Sequence, residues 1–184
     1  MIKETLNEIS NNFEKLKSCD KVIDRASKIM INALKSGGKI IYCGNGGSAA
    51  DSQHLAAELV GRYRKNRHPL AAVALTTDTS IITAVGNDFS FEEIFSRQIQ
   101  AIGNSNDVLY AISTSGKSKN IIRVITESKK KGIKVIGITG QSGHDMDGLC
   151  DILICVPASR PDRIQEMHIA VGQILCEIIE NTLC

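Results

Sequence analysis

The chain has no tryptophan, and aromatic residues make up only 4% of its 184 positions. Non-specific binding of single-stranded nucleic acid leans on aromatic faces, so this composition argues against it. Charge of one sign is missing as well. The formal net charge is +2, which leaves no electrostatic footprint for a polyanion. No apolar run approaches the roughly 18–20 residues that a membrane helix needs. The start, Met1-Ile2-Lys3-Glu4-Thr5-Leu6, carries an acid and lacks the apolar stretch of a secretory signal. There are six cysteines but no CxxC pair. Cys43, Cys150, Cys155 and Cys176 sit among apolar residues, which reads as free buried thiols in a reducing cytoplasm rather than disulfides or a thiolate zinc site.

What is present is an alternation of short apolar runs and helical stretches. Residues 1–36 are helical in pattern. Leu6, Ile9, Phe13 and Leu16 form one stripe, and Val22, Ile23, Ala26, Ile29, Met30, Ala33 and Leu34 form another. Ser18-Cys19-Asp20 divides them and Gly37-Gly38 ends the second. Five nearly continuous apolar runs follow, at 39–43, 70–75, 108–112, 134–138 and 152–156. Strands covered on both faces have this composition. Helical stretches are predicted near 49–62, 91–102, 119–131 and 163–181. The order implies an α/β fold, a three-layer doubly wound sheet of five parallel strands with an added N-terminal helical segment. No repeat or linker interrupts the chain. One domain is expected over 1–184, with helices over 1–36 and the α/β core over 37–184.

Chemistry concentrates in three segments. The first is Cys43-Gly44-Asn45-Gly46-Gly47-Ser48, followed by Asp51, Gln53, His54 and Glu58. A strand, a glycine-rich turn and a helix start expose backbone N–H groups to an anion. The same turn, with Ser48 as N-cap, serves a plain chain reversal equally well. His54 and Glu58 are four apart, so they share one helix face. That spacing fits a partly buried histidine leaning on a surface carboxylate. It also fits a pair of metal ligands, or a proton shuttle beside a carbonyl.

The second segment is Ile112-Ser113-Thr114-Ser115-Gly116-Lys117-Ser118. One serine suffices for a helix cap, so four hydroxyls within six residues point to phosphate. The third opens the last helix: Arg163-Ile164-Gln165-Glu166-Met167-His168, with Gln173 beyond. Polar groups inside an apolar helix are expected to have hydrogen-bond or metal partners. The basic stretch Arg62 to His68 reads as a solvated loop, with a subunit contact or anion site as the functional alternative.

Together these segments resemble the sugar-isomerase (SIS) superfamily, and within it the phosphoheptose isomerases. CGNGGSAADSQHLAAEL, GRYRKNR, VGNDFSFEEIFSRQ, ISTSGKS and RIQEMHI occur in that family's order and spacing, over essentially the whole chain. The resemblance implies a cytoplasmic homotetramer acting on a sugar phosphate, with neither nucleic acid nor membrane as partner. It implies a substrate site lined by Asn45, Gly46, Gly47, Glu58, Asn87, Asp88 and Gln165. Ser113, Thr114, Ser115 and Ser118 would hold the phosphate. It implies one zinc per subunit on His54, Glu58, Gln165 and Gln173, with Glu58 and position 173 as acid and base. The family usually has histidine at position 173. Glutamine lends a carbonyl oxygen to a metal but exchanges no proton near neutral pH. A related group of SIS-fold adaptors, which bind the replication initiator, also carries an amide there, so a non-catalytic adaptor is the alternative expectation. A sugar-phosphate sensor is a further one, weakened by the lack of any DNA-binding segment.

Overall fold

A computed structural model describes residues 1–184. Five parallel strands form one sheet: β1 (Ile40–Gly44), β2 (Ala72–Ala74), β3 (Val108–Ile112), β4 (Lys134–Thr139) and β5 (Ile152–Cys155), in the order β2-β1-β3-β4-β5. Side chains alternate between two cores, as a period of two demands. Ile40, Tyr42, Val108, Tyr110, Ile112, Ile136 and Ile138 face one side. Ile41, Cys43, Leu109, Ala111 and Val135 face the other. Because both faces are covered, the strands read as unbroken apolar runs.

On the first face lie α1 (Ile2–Leu16), α2 (Asp20–Lys35), α3 (Gly47–Val60) and α7 (Pro161–Leu183). On the second lie α5 (Ser96–Ile102) and α6 (Lys119–Lys130), with α4 (Thr79–Asp88) at the margin. A 3-10 turn at Lys17–Cys19 separates α1 from α2, as Ser18-Cys19-Asp20 predicted. Gly37, at φ +76, follows the end of α2 in the left-handed region that favours glycine.

Several expectations need correction. The helix predicted near 91–102 begins at Ser96, after a 3-10 turn at Phe91–Glu93. Helix α4 was not predicted at all. Its sequence is rich in β-branched residues and carries Gly86, which lowers helix propensity. Its N-cap was nonetheless visible: Asp78 accepts the Ile81 N–H at 2.9 Å. The N-cap of α3 is Gly46, and Ser48 lies inside the helix, buried. The second strand is three residues long rather than six, since it is the edge of the sheet and pairs on one side alone.

The loop predicted to be a solvated basic stretch is anchored. Arg67 and Glu180 form an ion pair at 2.9 Å, with side chains 3% and 2% exposed. Glu180 also accepts main-chain N–H bonds from Tyr63, Arg64 and Lys65. Arg67 in turn donates to the carbonyl oxygens of Glu58 and Leu59, closing the end of α3 where carbonyls otherwise lack partners.

Candidate active site

The strand order reverses between β1 and β3, and doubly wound sheets bind ligands at that point, beyond the carboxyl ends of the strands. The loop after β1 is tied there to the first turn of α6. Asn45 and Asn120 exchange two amide hydrogen bonds, each 2.8 Å long. Asn120 is buried and was not singled out from the sequence. Its signal was a single amide in the first turn of an otherwise apolar-faced helix.

Helix α7 crosses α3 at this end. A Cβ on Gly47 would stand 2.7 Å from Nε2 of Gln165, so only glycine lets that amide lie on the turn. A Cβ on Gly172 would meet the Leu55 side chain at 2.5 Å. Gly172 thus sets how closely α7 approaches α3, while Gly47 leaves room for the Gln165 amide at the start of α3. Gln173 follows Gly172 at the crossing and is half-buried. On α3, His54 Nε2 and Glu58 Oε1 lie 2.9 Å apart, with side chains 47% and 22% exposed. The helix-face pairing read from the spacing is therefore present.

Asp51, one turn before His54, was noted in the sequence without a role. Its Oδ2 is buried without a partner, and burial pushes its carboxyl above the usual range, with His54 offsetting part of the effect. His168 lies elsewhere. It is 1% exposed, and burial pushes its imidazole down to about 4, with the Thr139 backbone offsetting only part. Apart from that backbone contact with Thr139, whose geometry falls short of a hydrogen bond, neither ring nitrogen has a partner, contrary to the expectation that the polar groups of this helix would be paired.

The hydroxyl loop divides into two roles. Thr114 and Ser115 line a cavity of about 320 Å³ together with Lys117. Ser113 is buried, accepts the Gly116 N–H at 3.2 Å, and lies 3.4 Å from the Ser118 hydroxyl. It holds the shape of the loop from inside, while Ser118 is the N-cap residue of α6. Asn87 and Asp88 end α4, bonded to each other at 2.9 Å and exposed. They are not joined to the other candidate residues by any hydrogen bond within the chain.

The SIS domain family profile matches residues 5–140. A phosphoheptose isomerase of Rhodospirillum rubrum is 52% identical over 172 residues, covering 94% of this chain and 92% of that protein. One from Aliarcobacter butzleri is 46% identical over 183 residues, covering 100% and 97%. The solved structure of a phosphoheptose isomerase from Neisseria gonorrhoeae superposes with a TM-score of 0.93 at 40% identity, covering 98% of this chain and 97% of that one. No finding favours the adaptor alternative. The likeness extends over nearly the whole length of both chains, and the chain belongs to the SIS domain family and, within it, to the phosphoheptose isomerases.

Proposed function

We propose that this chain interconverts sedoheptulose 7-phosphate and D-glycero-D-manno-heptose 7-phosphate through a cis-enediol, the first step of nucleotide-activated heptose synthesis. The observation that carries the reading is the full-length likeness to phosphoheptose isomerases. The geometry supports it. Thr114 and Ser115 face a cavity ahead of α6, where a phosphate would meet hydroxyls and the helix N-terminus. Across the strand-order reversal, Glu58 presents a carboxylate oriented by His54. Glu58 takes a proton from C1 of the ketose and returns it to C2, while a hydroxyl proton passes from O1 to O2. Gln165, lying on Gly47, donates amide N–H groups to the sugar oxygens. Gln173 positions but does not exchange protons, so Glu58 is the only carboxylate of the set.

Zinc is part of the proposal. The donors are one imidazole (His54), one carboxylate (Glu58) and two amide oxygens (Gln165, Gln173). His54 and Glu58 already turn their ligand atoms toward each other. No group of three or more His, Cys, Asp or Glu side chains gathers anywhere in the chain, so the two glutamine amides would have to complete the set, and a cation there would be held less tightly than at a three-ligand zinc site. When bound, such a cation polarises the carbonyl and stabilises enediolate charge.

We also propose a cytoplasmic homotetramer. No helix is long and apolar enough to cross a membrane. An apolar groove between α1, α2 and α7, lined by Phe13, Leu16, Ile23, Ile174 and Ile178, supports assembly. Ile174 is 41% exposed there. Light scattering at micromolar concentration reads the mass directly, and a monomer refutes the assembly. For the activity, purified protein is incubated with sedoheptulose 7-phosphate and the aldose followed by NMR. Failure to form any aldose, with or without added zinc, overturns the reading.

A further inference from the structure

We infer that His144 is a substrate-recognition residue, closing the phosphate cavity from the side opposite the hydroxyl loop. This rests on the reading of Thr114 and Ser115 as phosphate ligands and adds a second wall to that site. Two loops supply most of the cavity's polar lining, and Ala158, Ser159 and Ile164 close it from the segment after β5. Thr114, Ser115 and Lys117 come from the loop after β3, and Gln141, Ser142 and His144 come from the loop after β4. At about 320 Å³ it has room for a phosphate and the adjoining carbons of a sugar.

The two loops are locked to each other, which makes the wall a fixed one. Gly116 sits at φ +64, and a Cβ there would lie 2.6 Å from the Gly143 carbonyl oxygen. Gly140 N–H donates to the Thr114 carbonyl at 3.3 Å. On this frame His144 stands out. It is the only non-glycine residue of the chain with positive φ, at +48. A side chain in the left-handed region costs on the order of 1 kcal/mol that glycine avoids. Residues held this way gather at ligand clamps.

The imidazole is held as well as strained. Its Nε2 lies 2.5 Å from the Ser142 hydroxyl. When that hydroxyl donates to Nε2, the proton of the neutral ring sits on Nδ1 and is free to donate. His144 is exposed, so no packing in the chain accounts for the choice of a large ring over glycine. A donor at this rim, with the ammonium of Lys117 on the other, suits the equatorial oxygens of a phosphate monoester.

The test compares His144→Gly, His144→Asn and Ser115→Ala. Glycine relieves the backbone and asparagine tolerates the same φ, so both variants should fold with Tm equal to or above that of the parent. For each we expect KM for sedoheptulose 7-phosphate to rise about 10-fold, as loss of a hydrogen bond to a charged group implies, with kcat within about 2-fold. The inhibition constant of inorganic phosphate should weaken in parallel. If Ser115→Ala raises KM and weakens phosphate inhibition but neither His144 variant does, the inference fails while the phosphate loop stands. If Ser115→Ala also changes nothing, the loop reading itself fails and takes the inference with it. A raised KM accompanied by a lowered Tm in both His144 variants would make the residue structural and overturn the inference.

Discussion

Glu180→Ala should destabilise the protein strongly although it lies outside the candidate site. The substitution leaves the Arg67 guanidinium at 3% exposure without its counter-charge. It also removes the acceptor of three main-chain N–H groups, those of Tyr63, Arg64 and Lys65. Removing one partner of a buried pair costs about 3–5 kcal/mol. An unfolding entropy of about 2.1 cal/mol/K per residue, taken over the whole chain, turns this into a Tm lowered by about 8–13 °C. Calorimetry at one fixed protein concentration reads it. Glu180→Leu combined with Arg67→Met should recover much of the loss, because paired apolar replacements leave no orphaned charge. The acid limb gives an independent check. Burial alone would raise the Glu180 carboxyl, but the N–H donors of Lys65, Arg64, Tyr63 and Arg67 bring it down to about 2 from 4.5. A folded value below the unfolded one stabilises above pH ~4.5 and is lost as pH falls toward ~2. Glu180→Gln should flatten part of that limb, with Asp151 and Asp162, also held near 2, and the lowered Glu93 contributing to the remainder. A destabilisation under about 1 kcal/mol in Glu180→Ala would refute the reasoning.

Glu58→Gln should lower kcat by about 10²–10⁴-fold, the usual contribution of a positioned proton shuttle, with the circular dichroism spectrum unchanged; near-normal turnover would remove Glu58 from that role. Gln173→His should tighten zinc binding by about 10-fold or more, since imidazole replaces an amide oxygen in the donor set, and should keep or raise turnover; equilibrium dialysis measures the first part without reference to activity, and unchanged zinc affinity would separate position 173 from the metal. Gly172→Ala should destabilise by about 1–3 kcal/mol, because overpacking forces side chains off their rotamers and the Leu55 side chain would have to yield where it is 1% exposed; an unaltered denaturation midpoint would show that the crossing has slack.

The five strands were legible because burial on both faces leaves an apolar signature, and β3 matches its predicted range end to end. The His54–Glu58 pairing was legible because a helix fixes what lies four residues away. Contacts between distant segments were not. Asn45 with Asn120 and Arg67 with Glu180 are separated by 75 and 113 residues, and no local period encodes such a partner. Helix α4 escaped because it has no buried residue, so it lacks the apolar stripe on which periodicity depends. All four hydroxyls of the loop were assigned to phosphate from their density, and density does not say which hydroxyl points inward. Ser113 does, because Gly116 at positive φ needs its N–H held.

Position 173 matters less to the proton transfer than its departure from the family first implies. The carboxylate sits on α3, and the position of α3 is fixed by features independent of residue 173. Gly172 receives Leu55, Gly47 receives Gln165, and Arg67 closes the helix end at the carbonyl of Glu58 itself. None of these contacts on α3 involves Gln173. Under the proposed mechanism what changes is the donor set: an amide binds a cation weakly and supplies no proton, so Glu58 would both take and return the proton. One carboxylate would suffice for that, because C1 and C2 are bonded neighbours on the same enediol.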